Sequence, residues 1–380
     1  MCANYGRWMR DEAKKSIGHL YPEVDLPDGS QATVIAWLWA RTVASPNPAA
    51  RGAHVPLVSS FMLSNKEGKQ AWVEPVLAPA VRDGYRFEIR SGKADPRTLE
   101  KVKKGTKSSR GSNFVCVLTG TPITPAHIKA EGKAKRMGAR LMAIVAEGKR
   151  GRIYLPPDEE HERIAASAKP AWAPEGDMPK NPRWFSPPDY GMPAFADLFT
   201  PRQLVALTTF SDLVLEARAK ALEDARAAGM DPDPTPLADG GTGAQAYADA
   251  IIVYLAFAVD KASTRNCSLT IWEPGMGRLA GAMGRQALPM QWAYAETNPL
   301  AGAGGDIAGT AISVAEVIVR NRRAGVSPEM AVRLAAAFGG TPQVWINLQA
   351  AYEYAQVSRR AEAIRATVRP VYPVSDRASG

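Results

Sequence analysis

The chain has 380 residues, of which 46% are hydrophobic and 22% charged, with a formal net charge of +9. These proportions suit roughly two or three globular domains with their own cores. They exclude a transmembrane helix, since no apolar run reaches about 18 residues, and the three scattered cysteines Cys2, Cys116 and Cys267 exclude a disulfide framework.

The amino terminus, Met1-Cys2-Ala3-Asn4-Tyr5, lacks the charged start and apolar stretch of a secretory signal, so a cytoplasmic setting is expected. The basic excess admits an anionic partner, nucleic acid first among them. Residues 5–20 have helical spacing. From Thr33 to Arg90 short β-rich runs follow one another: Thr33–Trp39, Val55–Val58, Ala71–Glu74 and Tyr85–Ile89, punctuated by Pro, Gly and Asn. That pattern predicts a small antiparallel sheet. Residues 92–112 carry Lys93, Arg97, Lys101, Lys103, Lys104, Lys107 and Arg110 with little apolar content and read as a basic loop. A second small β element is expected at Asn113–Val117.

Residues 165–195 are Pro-rich and read as a connector without regular structure. Thr200-Pro201 opens a helix by the cap-plus-proline device, with Leu204, Leu207, Phe210, Leu213 and Val214 on its apolar face. After a Pro/Gly loop at 229–243, another helix is expected over Gln245–Ala262, and the Gly/Ala-rich residues 300–309 read as a linker. Ser327-Pro328 and Thr341-Pro342 each open a further helix. The first should turn Ala331, Leu334 and Phe338 inward and stop at Gly339-Gly340; the second should turn in Trp345, Leu348 and Tyr352.

This last segment, through Arg323-Ala324-Gly325-Val326-Ser327-Pro328, Ala337-Phe338-Gly339-Gly340-Thr341-Pro342 and Trp345-Ile346-Asn347-Leu348, resembles the HigA-type antitoxins among the helix-turn-helix repressors. The resemblance covers about 319–380. It implies a recognition helix near Ser313–Asn321 and candidate DNA contacts at Arg320, Asn321, Arg322 and Arg323. The family's first two helices have no visible counterpart, and a helix-turn-helix needs one of them to cross the DNA backbone.

Residues 5–318 resemble the interior of the bacterial adenine-specific DNA methylases that carry a zinc-ribbon insert. The residues concerned include Gly6-Arg7-Trp8-Met9-Arg10-Asp11, Ala32–Val43, Leu141–Gly148, Asn181-Pro182-Arg183-Trp184-Phe185-Ser186-Pro187-Pro188, Leu198–Phe210 and Gly284–Met290. Such enzymes need a Gly-rich turn after a strand for S-adenosylmethionine and an Asn/Asp-Pro-Pro-aromatic box for the flipped base. The resemblance implies that the turn lies upstream of this chain and the box beyond residue 318, where the antitoxin-like segment takes over. Ser186-Pro187-Pro188-Asp189-Tyr190 has Ser where an amide or carboxylate is needed. Asp239-Gly240-Gly241-Thr242-Gly243 follows a Pro-rich loop instead of a strand. Both read as structural.

The ribbon's two knuckles correspond to Ser45–Ala50 and Cys116–Gly120, in which only Cys116 remains of the four ligands a structural zinc wants. His54 and His127 do not have knuckle spacing. No S-adenosylmethionine and no zinc are therefore expected. The basic segment, with Lys101, Lys103, Lys104 and Lys107, reads first as a solvated insertion loop and is the remaining candidate for phosphate contact.

The expected fold is α+β: a β-rich, degraded zinc-ribbon-like insert within 1–164, a Pro-rich connector and helical segment over 165–312, and a partial helix-turn-helix over 313–380. The leading functional expectation is a methylase-derived chain, chimeric or truncated, that binds DNA without autonomous methyl transfer. The alternatives are a subunit of a split methyltransferase that borrows its missing motifs from a methylase partner chain, and an antitoxin-like transcriptional regulator that binds a toxin or an operator.

Overall fold

The computed structural model describes residues 2–26, 28–149, 151–181, 183–322, 328–338, 341–348 and 350. In chain order, helix α1 (Cys2–Ile17) leads to a short hairpin, β1 (Val24–Asp25) and β2 (Gln31–Ala32). Next come the long strand β3 (Val34–Ala44) and β4 (His54–Leu57), then β5 (Met62–Ser64), β6 (Ala71–Leu77) and β7 (Tyr85–Ser91). Helix α2 (Pro96–Lys104), the hairpin β8 (Phe114–Val115) and β9 (Pro122–Ile123), and helix α3 (Pro125–Lys133) follow. Strands β10 (Gly138–Gly148) and β11 (Gly151–Leu155) precede α4 (Glu159–Ser167). The long helices α5 (Pro201–Ala227) and α6 (Ala244–Ser263) flank the Pro/Gly loop. Strands β12 (Ile271–Glu273), β13 (Arg278–Ala280) and β14 (Ala293–Thr297) and helices α7 (Ile307–Arg322) and α8 (Pro328–Phe338) complete the set, and 342–348 are helical. The fold is α+β.

The chain divides into two compact units, 1–215 with 255–314 and 216–254 with 315–380. The first unit contains every described strand. Its spine is β3, whose Val-Ile-Ala-Trp-Leu-Trp stretch is buried on both faces, as expected of a central strand. β10 runs antiparallel along one edge of β3, from Gly138 opposite Thr42 to Ala146 opposite Val34, with two bulges. The other edge is shared: β14 pairs with residues 36–40 and β4 with 41–44, both antiparallel. β11 extends the sheet beyond β10, and β5, β6 and β7 form a separate three-stranded antiparallel sheet. One core joins these two sheets through Leu38, Val73, Tyr85, Phe87, Val145 and Ala295. A second core gathers Val43, Leu57, Phe114, Cys116, Ile128, Tyr190 and Trp292.

In the second unit Leu237, Ala246, Ala331, Val344 and Trp345 form a small core, with Leu334 and Leu348 partly buried against it. The inward residues expected of the carboxy-terminal helical pair are thus in contact, except Phe338 and Tyr352, whose side chains lie outside the described residues.

Three expectations are corrected. Residues 92–112 are not all loop, because α2 occupies 96–104. Asp95 caps it by accepting the Arg97 and Thr98 amides, Pro96 sits in its first turn, and Val102 is buried. The Pro-rich segment is packed: Met178, Tyr190 and Met192 enter the second core. The linker expected over 300–309 ends early, since α7 begins at Ile307 and the Asp306 carboxylate accepts the Gly309 amide at 2.5 Å.

Candidate functional site

The most deeply buried polar centre of the first unit surrounds Arg202, in the first turn of α5. Its guanidinium is fully buried and lies 2.8 Å from a Glu296 oxygen on β14. It also donates to the Leu20 carbonyl at 3.0 Å and covers the Trp37 ring of β3 at 4.0 Å. Thr200, just ahead of α5, donates to the second Glu296 oxygen at 2.6 Å. Arg202 Nε and Gln203 Nε2 are buried without a hydrogen-bond partner. The ion pair therefore ties the start of α5 to β14, and the same guanidinium reaches the turn after α1 and the Trp37 ring of β3. Sequence reasoning missed it. The available signal was a lone Arg within the apolar run Leu198-Phe199-Thr200-Pro201-Arg202-Gln203-Leu204.

His161 of α4 completes the centre. Trp37 Nε1 donates to His161 Nδ1 at 2.8 Å, so that nitrogen must be unprotonated. Burial, with the Arg202 cation adding to it and opposed by Asp158 and Glu160, holds this imidazole below its ordinary value of 6.5. The folded state then binds fewer protons than the unfolded state. Stability from this group is full above pH 6.5 and is lost as pH falls through the depressed folded value. A urea-unfolding midpoint that drops on acidification below pH 6.5, with a smaller drop in His161→Gln, is the expected outcome.

The two segments that the resemblance set against ribbon knuckles, Ser45–Ala50 and Cys116–Gly120, lie face to face. Ser45 Oγ donates to Cys116 Sγ at 3.3 Å, and Asn47 Nδ2 donates to Thr121 Oγ1 at 2.7 Å. Cys116 and Thr121 close a tight turn in which Gly120 takes a positive φ of 71°. Burial acts to raise the Cys116 thiol, but hydrogen bonds from Ser45, Thr119 and neighbouring amides outweigh it and hold the thiol below its ordinary value. These residues do not fit a structural zinc, which takes four sulfur or imidazole ligands. Cys116 is the one sulfur present, and hydroxyl and amide groups face it. His127 Nε2 is already engaged with the Ala44 carbonyl at 2.8 Å, and His54 Nδ1 with Thr42 Oγ1 at 3.1 Å. Among the described residues no three His, Cys, Asp or Glu side chains gather as a metal site.

The two motif look-alikes are packing elements. In Ser186-Pro187-Pro188-Asp189-Tyr190 the tyrosine is buried edge-on against Trp292 at 4.9 Å and its hydroxyl meets Ser112 Oγ at 3.0 Å. That leaves no open face for a base. Asp189 is bound to Lys129 at 2.6 Å. Gly241 and Gly243 press against the backbone of Thr235 and Asp231, where a Cβ would overlap a carbonyl oxygen, so these glycines serve a close turn ahead of α6.

Lys101, Lys103 and Lys104 are exposed on the last turns of α2, and Lys107 follows half-exposed. Among the described residues none of the four has an ion-pair partner, whereas Arg86, Arg90, Arg136, Arg152 and Arg163 all do. Cations also suit a helix C-terminus electrostatically. The backbone at Arg320, Asn321 and Arg322 is the last turn of α7, and Arg323 lies outside the described residues. The structure thus brings Lys101, Lys103, Lys104 and Lys107 together in the first unit. No family model, no curated protein and no solved structure matches the chain.

Proposed function

We propose that this chain is a DNA-methylase-derived protein that binds the phosphate backbone of DNA and does not transfer methyl groups by itself. The observation that carries the reading is the run of cations on and beside α2, none of which is in an ion pair among the described residues. Lys93, Arg97, Lys101, Lys103, Lys104, Lys107 and Arg110 face only Asp95 and Glu100 in the same stretch, and Asp95 is committed to the helix cap. The backbone of the strip is tied to the segment ahead of β5: the Phe61 amide donates to the Val102 carbonyl at 2.8 Å and the Thr106 amide to the Val58 carbonyl at 2.8 Å. Lysines presented in this way neutralise phosphates and release counterions without reading sequence.

One further feature supports the methylase origin: the segments 45–50 and 116–121, likened to the two ribbon knuckles, face each other through the Ser45–Cys116 and Asn47–Thr121 hydrogen bonds. Helix α7 spans 313–321, where the antitoxin resemblance expects a recognition helix, and so bears on that alternative instead. Against autonomous methyl transfer, all the sheets within the described residues are antiparallel ladders. A doubly wound cofactor domain is built on a mostly parallel sheet with a Gly-rich strand-to-helix turn.

Fluorescence anisotropy with a labelled duplex, titrated at several salt concentrations, tests the reading. The expected result is binding that weakens linearly in log–log form as salt rises. The Lys101→Gln/Lys103→Gln/Lys104→Gln variant should have a slope shallower by about 2–3. Salt-insensitive binding, or none, overturns the DNA reading. A thermal unfolding scan with S-adenosylmethionine tests the other half: no shift is expected, whereas a competent site at a hundredfold excess over Kd would add about 2.7 kcal/mol.

A further inference from the structure

The first unit carries a second cationic surface. Tips of four hairpins, β1–β2, β5–β6, β10–β11 and β12–β13, surround an open cleft of about 1130 Å³. Its lining includes Lys66 and Lys69 from the β5–β6 tip and Lys149 and Arg152 from the β10–β11 hairpin. Asp28 is the one carboxylate on that lining, and it is engaged by the Ser30 amide at 3.0 Å and hydroxyl at 2.6 Å. Arg152 is paired with Glu147, while Lys66 and Lys149 are exposed and, among the described residues, in no ion pair, although Lys149 lies near enough to Asp28 to help hold that carboxyl below its ordinary value. We propose that this cleft seats the phosphodiester backbone of a nucleic-acid strand.

Three observations converge on that occupant. The walls leave backbone bare: side chains added at Gly68, Gly92 or Gly151 would meet nothing within 4 Å, so a ligand has room to approach the main chain. Lys66 Nζ and the Tyr154 hydroxyl lie 3.8 Å and 3.9 Å from where a Gly277 Cβ would stand, so an ammonium and a phenol border the same part of the wall and both can donate to a phosphate group in the cleft. Finally, the cations form a lane and not one focus. Gly92 lines the cleft, the Gln70 side chain, also on its wall, accepts the Ala94 amide at 3.3 Å, and the next residue caps α2. Lys93 and Arg97, both exposed, carry the positive charge from the cleft to the α2 strip. A lane of spaced cations matches a polyanion with repeating phosphates better than a compact ion.

The inference rests on the DNA-binding reading and extends its footprint from α2 to the hairpin tips. The test is the same salt titration, on a labelled single strand and a labelled duplex, with wild type, Lys66→Gln/Lys149→Gln and the α2 triple variant. Both lysines are exposed, so the unfolding midpoint of the double variant should stay at the wild-type value. The proposal expects its salt slope to fall by about two on at least one of the two nucleic acids, irrespective of base sequence. Wild-type slope and affinity in the double variant, alongside a weakened α2 triple variant, overturn the cleft and leave the α2 reading standing. No salt-dependent binding by the wild type overturns both.

Discussion

Glu296→Ala is expected to lower the stability of the first unit by about 3–5 kcal/mol, the range for removing one partner of a buried ion pair. Arg202 is fully buried and its Nε has no partner even in the intact centre, so without Glu296 the cation loses its charge-assisted bond and cannot reach water. Two other elements would feel the loss. Thr200 loses its acceptor ahead of α5, and β14 loses its polar tie to that helix. The measurement is the urea-unfolding midpoint followed by tryptophan fluorescence, since Trp37 lies directly under the guanidinium. Arg202→Met/Glu296→Leu should recover most of the stability, because paired removal of a buried ion pair leaves no orphaned charge. A Glu296→Ala midpoint equal to wild type would show that the centre contributes nothing.

The second large effect is expected at Gly132→Ala. A Cβ there would overlap the Tyr190 carbonyl oxygen and stand 2.6 Å from its carbon, both backbone atoms of a rigid turn. Helix α3 would have to withdraw from the 187–191 turn, loosening Tyr190 from Trp292 and from Ser112. The expected cost is about 3 kcal/mol, the upper end for overpacking a dense core. Asp189→Asn is the control. It weakens a half-exposed pair with Lys129 and should cost no more than about 1 kcal/mol. If Asp189→Asn proved the more damaging variant, the Ser-Pro-Pro-Asp-Tyr segment would be more than the packing element described above.

Where charge density and capping signals conflict, the capping signals decide the local structure. Over 92–112 the density of Lys and Arg suggested loop, yet Asp95, Pro96 and the closing Gly105 spell a cap, a first turn and a stop, and the lysines sit where a helix C-terminus favours them. The candidate site was legible only in part. Lys101, Lys103, Lys104 and Lys107 could be picked out by charge alone. That Lys66 and Lys149 share a cleft required folding two hairpins 83 residues apart onto one face.

The amino-acid sequence by itself determined α1, β3, α5 and α6, because caps, prolines and apolar periodicity act within a few residues. Thr200-Pro201 opening α5 and the β-branched and aromatic run of β3 are of that kind. It also determined that residues 45–50 offer no cysteine to Cys116. Only the tertiary structure decided that β14 joins the sheet along β3, that Ser45 and Asn47 meet Cys116 and Thr121, and that Arg202 finds Glu296 across 94 residues of chain. Such pairings are set by which buried polar and apolar surfaces can satisfy each other in three dimensions, and hydrogen-bond demand in a dry interior has no period in the sequence to betray it.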